Sequence, residues 1–310
     1  MIEKVTTTTL KQMKASGEKI ACLTSYDASF ARLQDEAGVD VLLVGDSLGM
    51  VLHGDDTTLN VTMTDMIYHT RLVSKVCQRA LVISDMPYKS YSSPAQALEN
   101  AKRLVNEGGA DMVKLEGGAK ISESVALITQ QGIEVCGHLG LMPQSIEEMG
   151  GYRVQAKTEE DAEKLKQDAL ILQQAGANCL VLECIPAKVA AEVSKMLDIP
   201  VIGIGAGSDC DAQVLVVYDM LGLSSKQMKF SKNFLTGKDS INILQSANAH
   251  KINLRKVSDD KISLSFDETT EITDLNKLFE IFGLNAEMKD IGDVVTPSIP
   301  SNLKRTSDYM

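Results

Sequence analysis

Short apolar runs recur along the first 220 residues, most of them closing on a polar side chain. They read KIACLT (19–24), DVLLVGD (40–46), ALVISD (80–85), DMVKLE (111–116), IEVCGH (133–138), NCLVLE (178–183), PVIGIG (200–205) and QVLVVYD (213–219). Val, Ile and Leu dominate without strict alternation, which predicts strands covered on both faces, as in a parallel sheet. Helix-like stretches lie between them. SSPAQALENAKRLVNEGG offers Ser93 as N-cap, Pro94 at the first helical position and Gly108-Gly109 as a stop. TEEDAEKLKQDALILQQAG carries acids in its first turn, where they suit the helix dipole. Strands alternating with helices predict βαβ units, and eight of them predict an α/β fold of the closed (β/α)₈ TIM-type barrel. The seventh and eighth runs stand too close for a full helix between them.

Past about residue 245 the pattern changes. INLRKV (252–257) and KISLSFD (261–267) predict two short strands. TDLNKLFEIFG predicts a helix with Leu275, Leu278, Phe279 and Phe282 on one face and Gly283 as its stop. The expected organisation is a barrel domain over 1–245 and a small α+β C-terminal appendage over 246–310.

Composition narrows the partners. Of 310 residues 44% are apolar, enough for a substantial core, while the net charge of −11 would repel a phosphate backbone and argues against nucleic acid. No apolar run is long enough to span a bilayer, and the polar N-terminus has neither the apolar core of a secretory signal nor the Arg-rich bias of a transit peptide. A cytoplasmic protein without membrane partners is expected. Cys22, Cys77, Cys136, Cys179, Cys184 and Cys210 form no C-x-x-C pair, and several sit in apolar runs. They are expected as reduced core residues.

The chemistry follows from where the runs end. In a (β/α)₈ barrel the active site is built at the C-terminal ends of the strands. Asp46, Asp85, Glu116, His138 and Glu183 end five consecutive runs. A single acid there would need no explanation beyond meeting solvent, but four carboxylates converging on one mouth call for a cation. Hard oxygen ligands and one histidine favour Mg2+ over zinc. Lys114 precedes Glu116 by two residues, hence lies on the same side of its strand. A buried lysine there must pair with carboxylates or with an anionic substrate.

These residues sit in segments that resemble the ketopantoate hydroxymethyltransferase family. The resembling segments include LTSYDASFARLQDEAGVDVLLVGDSLGMVLHG, SDMPYKSYSSPAQALENA, GADMVKLEGG, VCGHLGLMPQSIEEMGGYRVQ, LVLECIP and IPVIGIGAGSDCDAQVLVVYDMLGL, in order over roughly residues 5–240. The resemblance implies a Mg2+-dependent transferase of pantothenate biosynthesis with 5,10-methylenetetrahydrofolate as co-substrate. It puts metal-ligand positions on Asp46 and Asp85, with Glu116 close to the ion. Substrate-binding positions fall on Ser47, Asp85 and Lys114. Catalytic positions fall on Glu183 as general base, with Lys114 and His138 assisting, and a homo-oligomer, a decamer, is implied. The chain departs from the family pattern at Asp55 and Asn60, where His and Pro are usual, at Met142 for Thr and at Ala212 for Gly.

Four rival readings remain. Gly45-Asp46-Ser47-Leu48 spells the GDSL signature of an esterase class, which would need a histidine base beside Ser47. Gly203-Ile204-Gly205-Ala206-Gly207 resembles a phosphate cradle but lacks the Lys-Ser/Thr of a P-loop, so a tight turn is expected. A Mg2+-dependent oxo-acid lyase on a related barrel would share the acids without needing folate. The tail, AHKINLRKVSDDKISLSFDETT, DLNKLFEIFG and PSNLKRTSDYM, resembles part of the glycine decarboxylase P-protein over roughly 246–310, without its pyridoxal-phosphate lysine motif, so that an inactive fusion product is the further alternative to a working transferase.

Overall fold

The computed structural model describes residues 3–147, 149–224, 228, 230–235, 240–252, 254–258, 261–264 and 271–282. Two compact units divide between Phe234 and Leu235.

In the first unit eight parallel strands close into a barrel in sequential order. The strands are β1 (Ile20–Thr24), β2 (Val41–Val44), β3 (Leu81–Asp85), β4 (Met112–Glu116), β5 (Glu134–Gly140), β6 (Cys179–Glu183), β7 (Val201–Ile204) and β8 (Ala212–Leu215). The helices of this unit are α1 (Thr7–Ser16), α2 (Ala28–Glu36), α3 (Leu48–Val51), α4 (Met63–Ser74), α5 (Pro94–Asn106), α6 (Ser122–Gln130), α7 (Glu159–Gln174), α8 (Ala187–Met196) and α9 (Val217–Met220). The barrel expectation holds, and so does the missing helix between β7 and β8. The caps are those the sequence offers: Ser93 Oγ accepts from Gln96 N ahead of Pro94, and Thr158 Oγ1 accepts from Asp161 N.

The eighth run required correction. Its first residues form β8, but Val217–Met220 close a helical turn rather than extending the strand to Asp219. A short apolar run fits a buried strand or a buried helical turn equally well, and here the run holds both.

Alternation along the strands separates two apolar layers. Leu42, Val82, Val113, Val135 and Leu180 point outward and pack under the helices with Ala101, Leu104, Ile128 and Leu172. Ile20, Val41, Leu81, Met112, Cys136 and Cys179 point inward. That inward set is completed from below by Val5, Leu10 and Met13, on and just before α1. The sequence pattern gave no sign of α1, because only two large apolar residues mark it. Its ends are nevertheless well signalled, by a Thr6–Thr9 capping box and by Gly17 at φ +74°. Polar ties fix it to distant strands: Thr7 Oγ1 donates to Glu134 Oε1 at 2.6 Å, and Lys14 Nζ meets Asp211 Oδ2 at 2.7 Å. The described cysteines are all free thiols, four of the six buried.

The second unit contains α10 (Ser240–Ala249), an antiparallel pair β9 (Arg255–Ser258) and β10 (Lys261–Ser263), and α11 (Ile272–Ile281). A small core of Ile243, Ala247, Leu254, Leu278 and Ile281 holds it together. The two strands and the helix were expected, whereas α10 was not. The proposed helix stop Gly283, and residues 283–310 with the last part of the P-protein resemblance, lie outside the described residues.

Candidate active site

Strand register builds the site. Paired residues of neighbouring parallel strands project to the same side. Asp85 is the partner of Lys114, and Glu116 is the partner of His138. All four point into the barrel above Met112 and Cys136, and all are buried. Asp46 and Ser47 arrive from the turn after β2, and Glu183 ends β6 beside Gly140. The six groups named from the strand ends, with Ser47, therefore do converge on one cavity of about 690 Å³.

The contacts form a chain. Lys114 Nζ lies 2.7 Å from Asp85 Oδ1, and the other oxygen, Oδ2, accepts from Asp46 N at 3.0 Å. His138 Nδ1 stands 3.3 Å from Glu116 Oε1, while its Nε2 stands 3.4 Å from Glu183 Oε2. Lys114 Nζ also lies 3.3 Å from His138 Nδ1. One ring nitrogen cannot both donate to Glu116 and accept from Lys114. With the ring flanked by two carboxylates, donation to Glu116 is the consistent assignment, and Lys114 then belongs to Asp85.

Protonation follows from these neighbours. Burial, then the negative charges of Asp85 and Glu116, hold the Asp46 carboxyl well above the usual range. Burial acts the same way on Glu116, but the charge and hydrogen bond of His138 outweigh it and its value falls below the ordinary one. Burial and Lys114 push the His138 imidazole down, yet Glu116 and Glu183 raise it to about 9. Burial likewise works against the Lys114 ammonium, and Asp85, Glu116 and Asp46 more than offset it, so the side chain stays cationic. Four carboxylates thus face two cationic side chains. The site is short of positive charge, and the strain of that shortage falls on Asp46.

Sequence reading missed Gln144. This buried side chain donates from Nε2 to Asp46 Oδ2 at 2.8 Å and to the Met86 carbonyl at 2.9 Å, and its Oε1 accepts from the Tyr91 hydroxyl. Its backbone N–H donates to Glu116 Oε2 at 3.1 Å. Burial keeps the Tyr91 phenol raised well above its ordinary value, so it remains a donor and fixes which end of the amide faces Asp46. Backbone form at Glu183 is equally specific. Gly140 sits at φ +95°, and a Cβ there would meet the Glu183 carbonyl at 2.2 Å. Cys184 follows Glu183 at φ +47°, a conformation side-chain-bearing residues rarely adopt.

The rival motifs lose support. Ser47 Oγ is bonded to the Tyr26 hydroxyl at 2.9 Å, and among the described residues no histidine is hydrogen-bonded to it. The glycine-rich turn is shaped by packing: a Cβ on Gly205 would meet Phe230 at 2.9 Å, and one on Gly207 would meet Ala187 at 2.4 Å.

A sequence profile of ketopantoate hydroxymethyltransferase matches residues 4–256. The chain belongs to this family. The ketopantoate hydroxymethyltransferases it resembles include the 3-methyl-2-oxobutanoate hydroxymethyltransferase of Nitrosococcus oceani, 56% identical over 77% of this chain and 90% of that protein. The same-named protein of Methylococcus capsulatus is 51% identical over 81% of this chain and 94% of the relative. Membership places the chain among transferase enzymes. Solved structures share the ketopantoate hydroxymethyltransferase barrel at low identity. A phosphonopyruvate hydrolase complexed with oxalate and Mg++ has a TM-score of 0.55 at 10% identity, covering 89% of this chain and 94% of that one. A 2,3-dimethylmalate lyase of the PEP mutase/isocitrate lyase superfamily scores 0.54 at 16% identity, covering 89% and 94%. These likenesses show the fold. Among the described residues no helix is long and apolar enough to cross a membrane.

Proposed function

We propose that the chain transfers a hydroxymethyl group from 5,10-methylenetetrahydrofolate to 3-methyl-2-oxobutanoate, with one water consumed, giving 2-dehydropantoate (ketopantoate) for pantothenate synthesis. The family match carries this reading, and the strand-end acids that converge on one cavity supply groups suited to it.

A Mg2+ ion fits the floor. Among the described residues no three His, Cys, Asp or Glu side chains form a ready cage, but Mg2+ is commonly held by only one or two carboxylates with waters completing its shell. Asp46 and Asp85 would hold it, with Glu116 nearby, and the charge shortage around Asp46 favours a cation there. When bound, such an ion supplies Lewis-acid stabilisation of negative charge developing on the oxo acid.

The chain's own residues do the rest. Lys114 offers its ammonium to the substrate's carboxylate or keto oxygen, and Ser47 with Asp85 completes that contact. Glu183 takes the proton from C3. Water opens the methylene bridge of the folate: both of its C–N bonds break, the two nitrogens end as N–H, and the carbon is freed at the oxidation level of formaldehyde with the water's oxygen on it. The carbanion forms its new C–C bond to that carbon, and the resulting alkoxide takes up the proton removed from C3 to become the hydroxymethyl group. His138, between Glu183 and Glu116, holds and relays the protons. The second unit supplies none of these groups, in keeping with its resemblance to a P-protein fragment without the pyridoxal-phosphate lysine. We place the enzyme in the cytoplasm as a homo-oligomer of decameric type, to be checked by sedimentation.

The deciding assay measures consumption of 3-methyl-2-oxobutanoate by the purified chain with and without folate and Mg2+. Exchange of the C3 hydrogen with solvent deuterium should proceed without folate. Glu183→Gln should lower that exchange about 10²- to 10⁴-fold while still binding Mg2+. Turnover of the oxo acid that needs no folate would instead favour a lyase.

A further inference from the structure

The cavity is far larger than a small branched oxo acid requires; at about 690 Å³ it is of a size that encloses drug-sized ligands. Its lining is also of two kinds. The acids, Lys114 and His138 occupy the part built by β2 to β6. The part built by β7, β8 and the chain that follows is apolar, with Ile204, Val216, Tyr218, Leu223 and Phe230. Among the described residues one charged group interrupts that apolar wall, Asp219.

Asp219 is only 9% exposed. Among the described residues its carboxylate has neither a hydrogen bond nor an ion pair. A largely buried carboxyl group without a hydrogen-bond partner is costly, and buried polar groups in native proteins are normally paired. Its place in the four-residue α9 does not account for it, since that turn has no side-chain cap. Tyr218 beside it is held in place by ring contacts with Tyr26 at 5.9 Å and Phe30 at 6.1 Å.

We infer that Asp219 anchors the head group of the second substrate, a planar fused-ring 2-amino-4-oxopyrimidine. This rests on the folate-dependent reading above. A carboxylate is acceptor-only, and its two oxygens match two parallel N–H donors, as a ring N–H and an adjacent exocyclic amine present. The flanking aromatic and aliphatic side chains suit the flat faces of such a ring. A metal ion would want several oxygen ligands, and an anion would be repelled.

Isothermal titration with tetrahydrofolate, in the absence of oxo acid, tests the assignment. Asp219→Asn should raise the Kd about 10- to 100-fold. Deuterium exchange at C3 of the oxo acid, which needs no folate, serves as the control that the variant is folded. A 2-desamino tetrahydrofolate should bind the unaltered enzyme as weakly as tetrahydrofolate binds the variant, which tests the contact even if the variant does not fold. Equal affinity of variant and parent for tetrahydrofolate, or of the two ligands for the parent, overturns the role of Asp219. If the parent enzyme exchanges the C3 hydrogen but binds no tetrahydrofolate, the folate-dependent reading itself fails.

Discussion

The two ends of the barrel interior are built on the same strands and differ in nearly every physical respect. Below lie Leu81, Met112, Cys136 and Cys179, sealed by Leu10 and Met13 of α1. Above lie Asp85, Lys114, Glu116 and His138, tied by ion pairs and short of positive charge. The change takes one inward step along a strand: Met112 to Lys114 on β4, Cys136 to His138 on β5. The lower layer can be satisfied by any set of apolar side chains that fills the space. The upper layer needs particular groups in particular register, and it is stable only because each charge has a neighbour. The lower end should therefore respond to mutation through stability, and the upper end through binding and turnover.

The largest effect should come from Asp85→Ala. It removes a proposed metal ligand and leaves Lys114 buried without its 2.7 Å partner. Turnover and Mg2+ binding by calorimetry should both be lost, and urea unfolding should show a loss of about 3–5 kcal/mol. Near-normal Mg2+-dependent activity in this variant would put the metal elsewhere. Next, Leu10→Ala should cost about 2–5 kcal/mol through the cavity it opens. Activity per folded molecule should be unchanged, and a changed KM would break the division between the two ends. Gln144→Leu should weaken Mg2+ binding about 10- to 100-fold with little loss of stability, since the amide orients Asp46 from behind. Tyr91→Phe should shift affinity in the same direction by less.

The smallest effect is a titration. In metal-free protein the His138 ring should titrate near pH 9 by NMR. Its value is raised by folding, so the stability it adds is complete below the unfolded value of about 6.5 and disappears as pH climbs through about 9. Glu116→Gln should bring the midpoint down. A midpoint unmoved by that change would mean that Glu116 is not the partner of the charged ring.

Legibility in the sequence followed the same line. The strands were readable because burial on both faces writes continuous Val, Ile and Leu. The site acids were readable because each closes a run, so that position along the chain implies position at the barrel mouth. Gln144 was not: it carries no charge, closes no run, and matters only through partners such as Asp46, 98 residues away. Asp219 did close the eighth run, but what sets it apart is the lack of a partner among the described residues, which only packing reveals. The helix α1 was hidden because two apolar residues in a polar segment give no periodicity to detect.

That helix has a bearing on how the chain reaches its fold. α1 leaves the ribosome well before the segments it is tied to, for its contacts lie far along the chain: Thr7 with Glu134, 127 residues later, and Lys14 with Asp211, 197 residues later. It cannot dock until nearly the whole barrel has been synthesised, and it must wait with Leu10 and Met13 in water. Contacts of such long sequence separation form slowly, and chains of this size commonly pass through intermediates with exposed apolar surface. Barrel closure and the docking of α1 should thus be late, coupled events in folding, and deleting α1 should slow refolding as well as weaken the native state.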